Sequence, residues 1–104
     1  YCPAQNGLVE RAWRTLVAMV RCLLTGAGLS KALWAEAMAT AVYITNRLPS
    51  RVLKGATPYF VLHGRQARLD HLRVYGCRVF VQVPPSQRHK LDDKAIRGLL
   101  VGYD

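Results

Sequence analysis

Hydrophobic and polar positions divide the chain into two regimes. From Leu8 the apolar residues recur at helical spacing: Val9, Trp13, Leu16, Val20, Leu23 and Leu24 fall on one stripe, which predicts a buried helix face. Glu10, Arg14 and Arg21 fall on a different face, with Arg11 at its edge. Before this stripe, Pro3, Asn6 and Gly7 are turn formers, so residues 1–7 read as a loop. Gly26 and Gly28 mark the end of the helix. Ser30 is placed to cap a second helix whose stripe is Leu33 or Trp34, Ala37, Met38, Ala41, Ile44 or Thr45, and Leu48. Pro49 would end that helix. The short GAGLS link then makes the two helices an αα-hairpin. Residues 50–72 are basic and turn-rich, with a short helix expected from Thr57-Pro58 to Leu62 and closed by Gly64. After Leu72 the period becomes two. Cys77, Val79, Val81 and Val83 point one way and Arg78, Phe80 and Gln82 the other, as in a strand. KLDDKAIRG reads as a polar turn, and Leu99, Val101 and Tyr103 as a second alternating run.

Composition adds a partner to this picture. Fifteen lysines and arginines stand against six acids, a formal charge of +9. Only Lys31, Lys54, Lys90 and Lys94 are lysines; the rest are arginines, whose planar fork suits phosphates and base edges. Residues 1–48 carry five bases against two acids, and residues 49–104 ten against four. A polyanion is the expected partner, nucleic acid first. The apolar fraction of 51% allows a core and argues against wholesale disorder. No apolar run is long enough to span a membrane, and no secretory signal pattern is present. Cys2, Cys22 and Cys77 are odd in number and form no C-x-x-C pair, which argues against a disulfide framework or a structural zinc site. His63, His71 and His89 lack metal-ligand spacing. Trp13 and Trp34 are expected in the core. The first residue is not Met and the strand region is short, so the chain is expected to be a piece of a longer polypeptide.

The opening stretch YCPAQNGLVERAWRTLVAMVRCLL resembles the last catalytic motif of retroviral-type integrases, in the version used by copia-type retrotransposons. The family pattern, roughly Y-x-P-x-Q-N-G-x-x-E-R before a long helix, is met at Tyr1, Pro3, Gln5, Asn6, Gly7, Glu10 and Arg11. The likeness continues through LWAEAMATAVYITNRLPS, TPY, HLRVYGCRVFVQVP, KLDDKA and the final GY, and so covers essentially the whole chain. It departs at Trp13, where the family is usually polar, and at Phe60, where Glu commonly follows TPY.

The resemblance implies an α+β chain: the C-terminal helices of a ribonuclease H-like integrase core over residues 1–49, a connector with a short helix over 50–72, and a partial SH3-like β-barrel over 73–104. It implies a parent polyprotein that trims element ends and joins them to target DNA, with water and then a 3′-hydroxyl as nucleophiles. In that chemistry two aspartates and one glutamate hold two Mg²⁺ or Mn²⁺ ions, hard cations that prefer oxygen ligands. Glu10 is then the third acid, both catalytic residue and metal ligand. The two aspartates are expected upstream of Tyr1, so this chain alone should be inactive and should bind no metal tightly. The alternative for Glu10 is an ion pair with Arg14, one helical turn on.

Tyr1, Gln5, Asn6, Arg11, Arg14 and Arg21 are implied to touch DNA, both element ends and target. Arg73, Arg78, Arg88, Lys90, Lys94 and Arg97 either clamp DNA from the β-rich part or guard its strand edges. The parent is expected to be a homo-oligomer acting inside the cell, in the nucleus or a virus-like particle, without a membrane. The rival reading is a non-catalytic nucleic-acid-binding module, or a domesticated integrase remnant.

Overall fold

The computed structural model describes residues 3–104, with side chains from Asn6 onward. Helix α1 spans Pro3–Ala27, α2 Trp34–Thr45 and α3 Pro58–His63. Strands β1 (Arg78–Gln82) and β2 (Ala95–Leu99) follow, and single 3₁₀ turns cover Lys31–Leu33 and Pro85–Gln87. The result is α+β, elongated to 62 × 33 × 25 Å. Its radius of gyration, 18.0 Å, exceeds the ~13 Å of a compact chain this long.

Helix α1 begins earlier than the turn residues predict. Pro3 is its first residue, where a missing N–H costs nothing, and Asn6 and Gly7 are helical. The expected loop over residues 3–7 is therefore corrected to helix. The other end is as expected. Gly28 adopts φ +67°, its amide donates to the Thr25 carbonyl at 3.2 Å, and the Leu29 amide reaches back to the Leu24 carbonyl at 3.0 Å. That six-to-one closure is the glycine-terminated helix stop.

Ser30 caps the 3₁₀ turn, accepting from the Ala32 amide at 3.1 Å, and α2 follows directly. Helix α2 stops at Thr45 rather than at Pro49. Residues 46–48 tighten into turns, with the Arg47 amide donating to Ile44 and the Leu48 amide to Thr45.

The hairpin encloses a small core. Val20 and Leu24 of α1 meet Ala37 and Ala41 of α2, and Leu16, Met19, Leu23, Leu29, Leu33 and Met38 pack around them. The alanines admit the close approach of the two helices. Leu48 and the leading half of the α1 stripe do not join it. Val9 is 67% exposed and Trp13 58%, because α1 has 25 residues and α2 only 12, so α1 runs past the end of its partner. Trp34 is also 58% exposed, so neither tryptophan is a core residue.

The segment between α2 and β1 is fastened at both ends. Thr57 accepts from the Phe60 amide at 3.0 Å, Pro58 occupies the first turn of α3, and Gly64 closes it at φ +71°. The Tyr59 amide donates to the Asn46 carbonyl at 2.8 Å, so α3 hangs from the end of α2. Strands β1 and β2 pair antiparallel, with Phe80 opposite Arg97. Strand β2 starts at Ala95, inside the stretch expected to be a turn. Neither face of this two-stranded sheet is closed: Phe80 is 68% exposed and Ile96 62%.

A seam joins the sheet to the hairpin. Thr40, fully buried, has its hydroxyl 2.9 Å from the Glu36 carbonyl and 3.1 Å from the Val101 carbonyl. Gly76 lies against the end of α1: a Cβ there would stand under 3.0 Å from the Ala27 Cβ. Tyr75 packs on the hairpin core from the same side.

Candidate nucleic-acid interface

Two features carry charge in positions that could meet a polyanion. The first is the exposed face of α1. Glu10 lies in its second turn, and the Asn6 side-chain amide donates to Glu10 Oε1 at 3.1 Å. That contact replaces the alternative expected from spacing, since Arg14 makes no ion pair with Glu10 among the described residues. Arg11, Arg14 and Arg21 are all exposed. Helical geometry puts Arg14 and Arg21 two turns apart on the Glu10 side, about 10 Å along the axis. The structure thus brings Asn6, Glu10, Arg14 and Arg21 to one side of one helix, with Arg11 at its border. Tyr1 lies outside the described residues, as does the side chain of Gln5.

Glu10 is the only acid between Tyr1 and Glu36. Among the described residues no three His, Cys, Asp or Glu side chains converge on one point. An exposed carboxylate at the start of a helix fits one oxygen site of a hard cation. Two such cations need several more oxygen ligands, and those would have to come from groups beyond this set.

The second feature was not singled out by the sequence. It is a cleft of about 410 Å³ between the end of α2, α3 and residues 65–71, lined by Tyr43, Arg47, Tyr59, Arg65, Arg68 and His71 among others. The Arg47 guanidinium carbon lies 3.4 Å from the centroid of the Tyr43 ring and 4.9 Å from that of Tyr59. Its Nη1 donates to the Tyr43 carbonyl at 3.0 Å. Tyr43 is held in turn: its other neighbour Tyr103 stacks on it at 4.9 Å and 17°, and its hydroxyl contacts His71 Nε2. The Tyr103 hydroxyl donates to the Arg73 carbonyl at 3.2 Å and accepts from the Arg73 amide at 3.0 Å. Arg68 pairs with Asp70 at 3.0 Å, both well exposed, so water and salt screen that pair. The one local signal of this cleft is the four-residue spacing of Tyr43 and Arg47; its other members are joined only by the fold.

The three histidines form no metal site among the described residues, and Cys22 is exposed and Cys77 half-buried as free thiols; Cys2 lies outside the described residues. No helix among the described residues is long and apolar enough to cross a membrane.

Residues 77–104 match the family described as the retroviral polymerase SH3-like domain. Over 101 residues, 97% of the chain, it is 46% identical to the retrovirus-related Pol polyprotein from transposon TNT 1-94 of Nicotiana tabacum. Over 103 residues, 99% of the chain, it is 40% identical to the corresponding polyprotein from transposon RE1 of Arabidopsis thaliana. The chain spans only 8% and 7% of those two polyproteins. An uncharacterised mitochondrial protein of Arabidopsis thaliana is 32% identical over 85 residues, covering 68% of its own length. No solved structure matches the chain.

Proposed function

Because the chain belongs to the retrovirus-related Pol polyproteins of copia-type retrotransposons, we propose that it is the part of such a polyprotein where the integrase catalytic core passes into its SH3-like domain. On this reading residues 1–49 complete a ribonuclease H-like core, residues 50–72 connect, and residues 73–104 begin the β-rich domain. The carrying observation is coverage: the likeness to the transposon polyproteins extends over 97% and 99% of the chain and so takes in both the Glu10 helix and the sheet.

The parent would join element ends to target DNA inside the cell, in the nucleus or a particle, as a homo-oligomer. Bound Mg²⁺ or Mn²⁺ would supply stabilisation of the attacking and leaving oxygens in an in-line phosphoryl displacement. Glu10 would give one carboxylate to that centre. Its position early in a long helix fixes its backbone, and the Asn6 amide orients its side chain. Arg11, Arg14 and Arg21, with Tyr1, Gln5 and Asn6, would meet DNA, the arginines through its phosphates. Such contacts give affinity and salt dependence with little sequence choice.

The test uses the parent polyprotein's integrase with Mg²⁺ in a strand-transfer assay. Glu10→Gln, which keeps shape and removes charge, is expected to abolish product while leaving DNA binding intact. An unchanged rate would remove Glu10 from the catalytic centre. Reading the parent sequence upstream adds a second check: two aspartates before Tyr1 are required. Their absence would leave the binding module as the better account.

A further inference from the structure

The cleft of Tyr43, Arg47, Tyr59, Arg65, Arg68 and His71 lies on different elements from the Glu10 face and has no role in the chemistry just described. Its volume, about 410 Å³, is in the range of small-ligand sites. Its walls are mostly rings and guanidinium groups, with Ala67 the one aliphatic side chain among them.

Three details give the cleft its chemistry. Arg47 is held against the Tyr43 ring, close to that of Tyr59, and by one bond to the Tyr43 carbonyl. Only one of its five N–H groups is spent there, so a fixed cation with spare donors is held in place before any ligand arrives. Arg65, exposed, makes no hydrogen bond or ion pair among the described residues. Arg68 is committed only to a solvent-screened partner, Asp70. No acid lines the cleft itself.

We propose that this cleft binds a phosphodiester of a nucleic-acid strand, with Arg47 as the pre-set donor and Arg65 as the arm that closes on it. The proposal rests on the reading that the chain handles nucleic acid, and adds a contact point remote in sequence from Glu10. A phosphate suits the site better than a peptide carboxylate. It presents acceptor oxygens in more than one direction, matching guanidinium groups that reach it from the turn after α2 and from the segment after α3. The neighbouring tyrosines offer ring faces and hydroxyls to the sugar and base on either side.

The experiment is fluorescence anisotropy of the 104-residue chain with a labelled 20-nucleotide strand and its duplex, between 50 and 200 mM salt. Arg65→Ala should lower the slope of log affinity against log salt by about 0.7 on the strand and 0.9 on the duplex, one phosphate's share. At 50 mM salt that is a loss of roughly tenfold in affinity. Arg47→Lys, which keeps the charge and loses the planar guanidinium against the rings, should weaken binding with the slope nearly unchanged. Lys54→Ala, an equal loss of charge at an exposed position outside the cleft, should move the slope by less than half as much. In parallel, the Arg47 and Arg65 Nε–H resonances should shift on titration with the strand.

If Arg65→Ala and Lys54→Ala behave alike, or the two resonances stay still while the chain binds, the cleft is no phosphate site and the general nucleic-acid reading survives. If a poly-glutamate of equal charge displaces the strand as well as unlabelled oligonucleotide does, the cleft selects charge alone and the proposal fails. If the unmodified chain binds no nucleic acid, both readings fall.

Discussion

Gly76 offers the sharpest check on how the sheet meets the hairpin. Two separate costs attend Gly76→Ala. The backbone there has φ +79°, and an L-residue with a Cβ pays about 1–2 kcal/mol to stay in that region. The new methyl would also stand under 3.0 Å from the Ala27 Cβ, an overpacking of about 1–3 kcal/mol. The expected loss is therefore about 2–5 kcal/mol. Gly64→Ala provides the comparison. Its φ is +71°, yet nothing lies within 4 Å of the Cβ position, so it carries the first cost alone. Ala27→Gly, at the last residue of α1, should cost at most ~1 kcal/mol by itself. Combined with Gly76→Ala it removes the group that is struck. The nearest remaining atoms are then the residue-27 Cα at 3.4 Å and Leu29 Cδ1 at 3.7 Å. The pair should therefore be less damaging than the sum of its parts by about 1–3 kcal/mol. Hydrogen exchange at the Leu100 amide, which donates to the Cys77 carbonyl at 2.9 Å beside the seam, reports it whether opening is local or global. Protection should fall by roughly 30-fold or more in the single variant. Equal effects of Gly76→Ala and Gly64→Ala, or strict additivity with Ala27→Gly, would refute the close approach of sheet and helix.

Further outcomes are expected elsewhere. Thr40→Val keeps the volume of a buried residue but takes the hydroxyl from the Glu36 and Val101 carbonyls; a loss of about 1–2 kcal/mol should appear in the urea midpoint. The Tyr75 hydroxyl is buried without a partner, so Tyr75→Phe should be neutral or stabilising by up to ~1 kcal/mol. Burial, and after it the Glu36 carboxylate, pushes the Tyr75 phenol above its ordinary value of 10.0. Its share of stability is thus complete below that value and is lost as pH rises through the folded-state value; the difference between wild type and Tyr75→Phe in alkaline unfolding curves measures it. Thr57→Ala should cost about 1 kcal/mol, confined to α3 and read as faster exchange of the Phe60 amide that Thr57 now receives.

What could be read from the residues was whatever local chemistry decides. Thr57, Pro58 and Gly64 fix both ends of α3 within eight residues, and the structure places that helix where they indicate. Gly28 likewise stops α1 through bonds that span only a few residues. Failures occur where a longer element overrules a local preference. Asn6 and Gly7 favour a turn, and Gly7 costs a helix roughly 1 kcal/mol, but both lie inside a 25-residue helix that begins at a proline suited to its first position. The stripe from Val9 to Leu24 was read as uniformly buried, yet burial needs an opposing surface, and α2 is too short to provide one for Val9 and Trp13. Among the candidate residues, Glu10, Arg14 and Arg21 could be grouped on one face from the sequence because one helix carries them all. The cleft was not, because Tyr43, Tyr59, Arg65 and His71 come from three segments that converge only after α3 has folded back on the end of α2.

That convergence links the cleft to the seam. Arg47 takes its position from Tyr43, Tyr43 leans on Tyr103, and Tyr103 is tied by two hydrogen bonds to the backbone of Arg73. Tyr103 in turn follows Val101, whose carbonyl meets the Thr40 hydroxyl inside α2. The guanidinium that would receive a phosphate is therefore oriented by the C-terminal segment as well as by α2, whose Tyr43 it contacts from the turn that follows. With a core of only four buried apolar side chains among the described residues, the hairpin has little packing to spare for holding such a group rigid. The aromatic stack does it instead, at the point where the two parts of the chain meet. A nucleic acid seated there would touch groups whose positions depend on both parts being docked, so binding would favour the docked arrangement over any separated one by mass action.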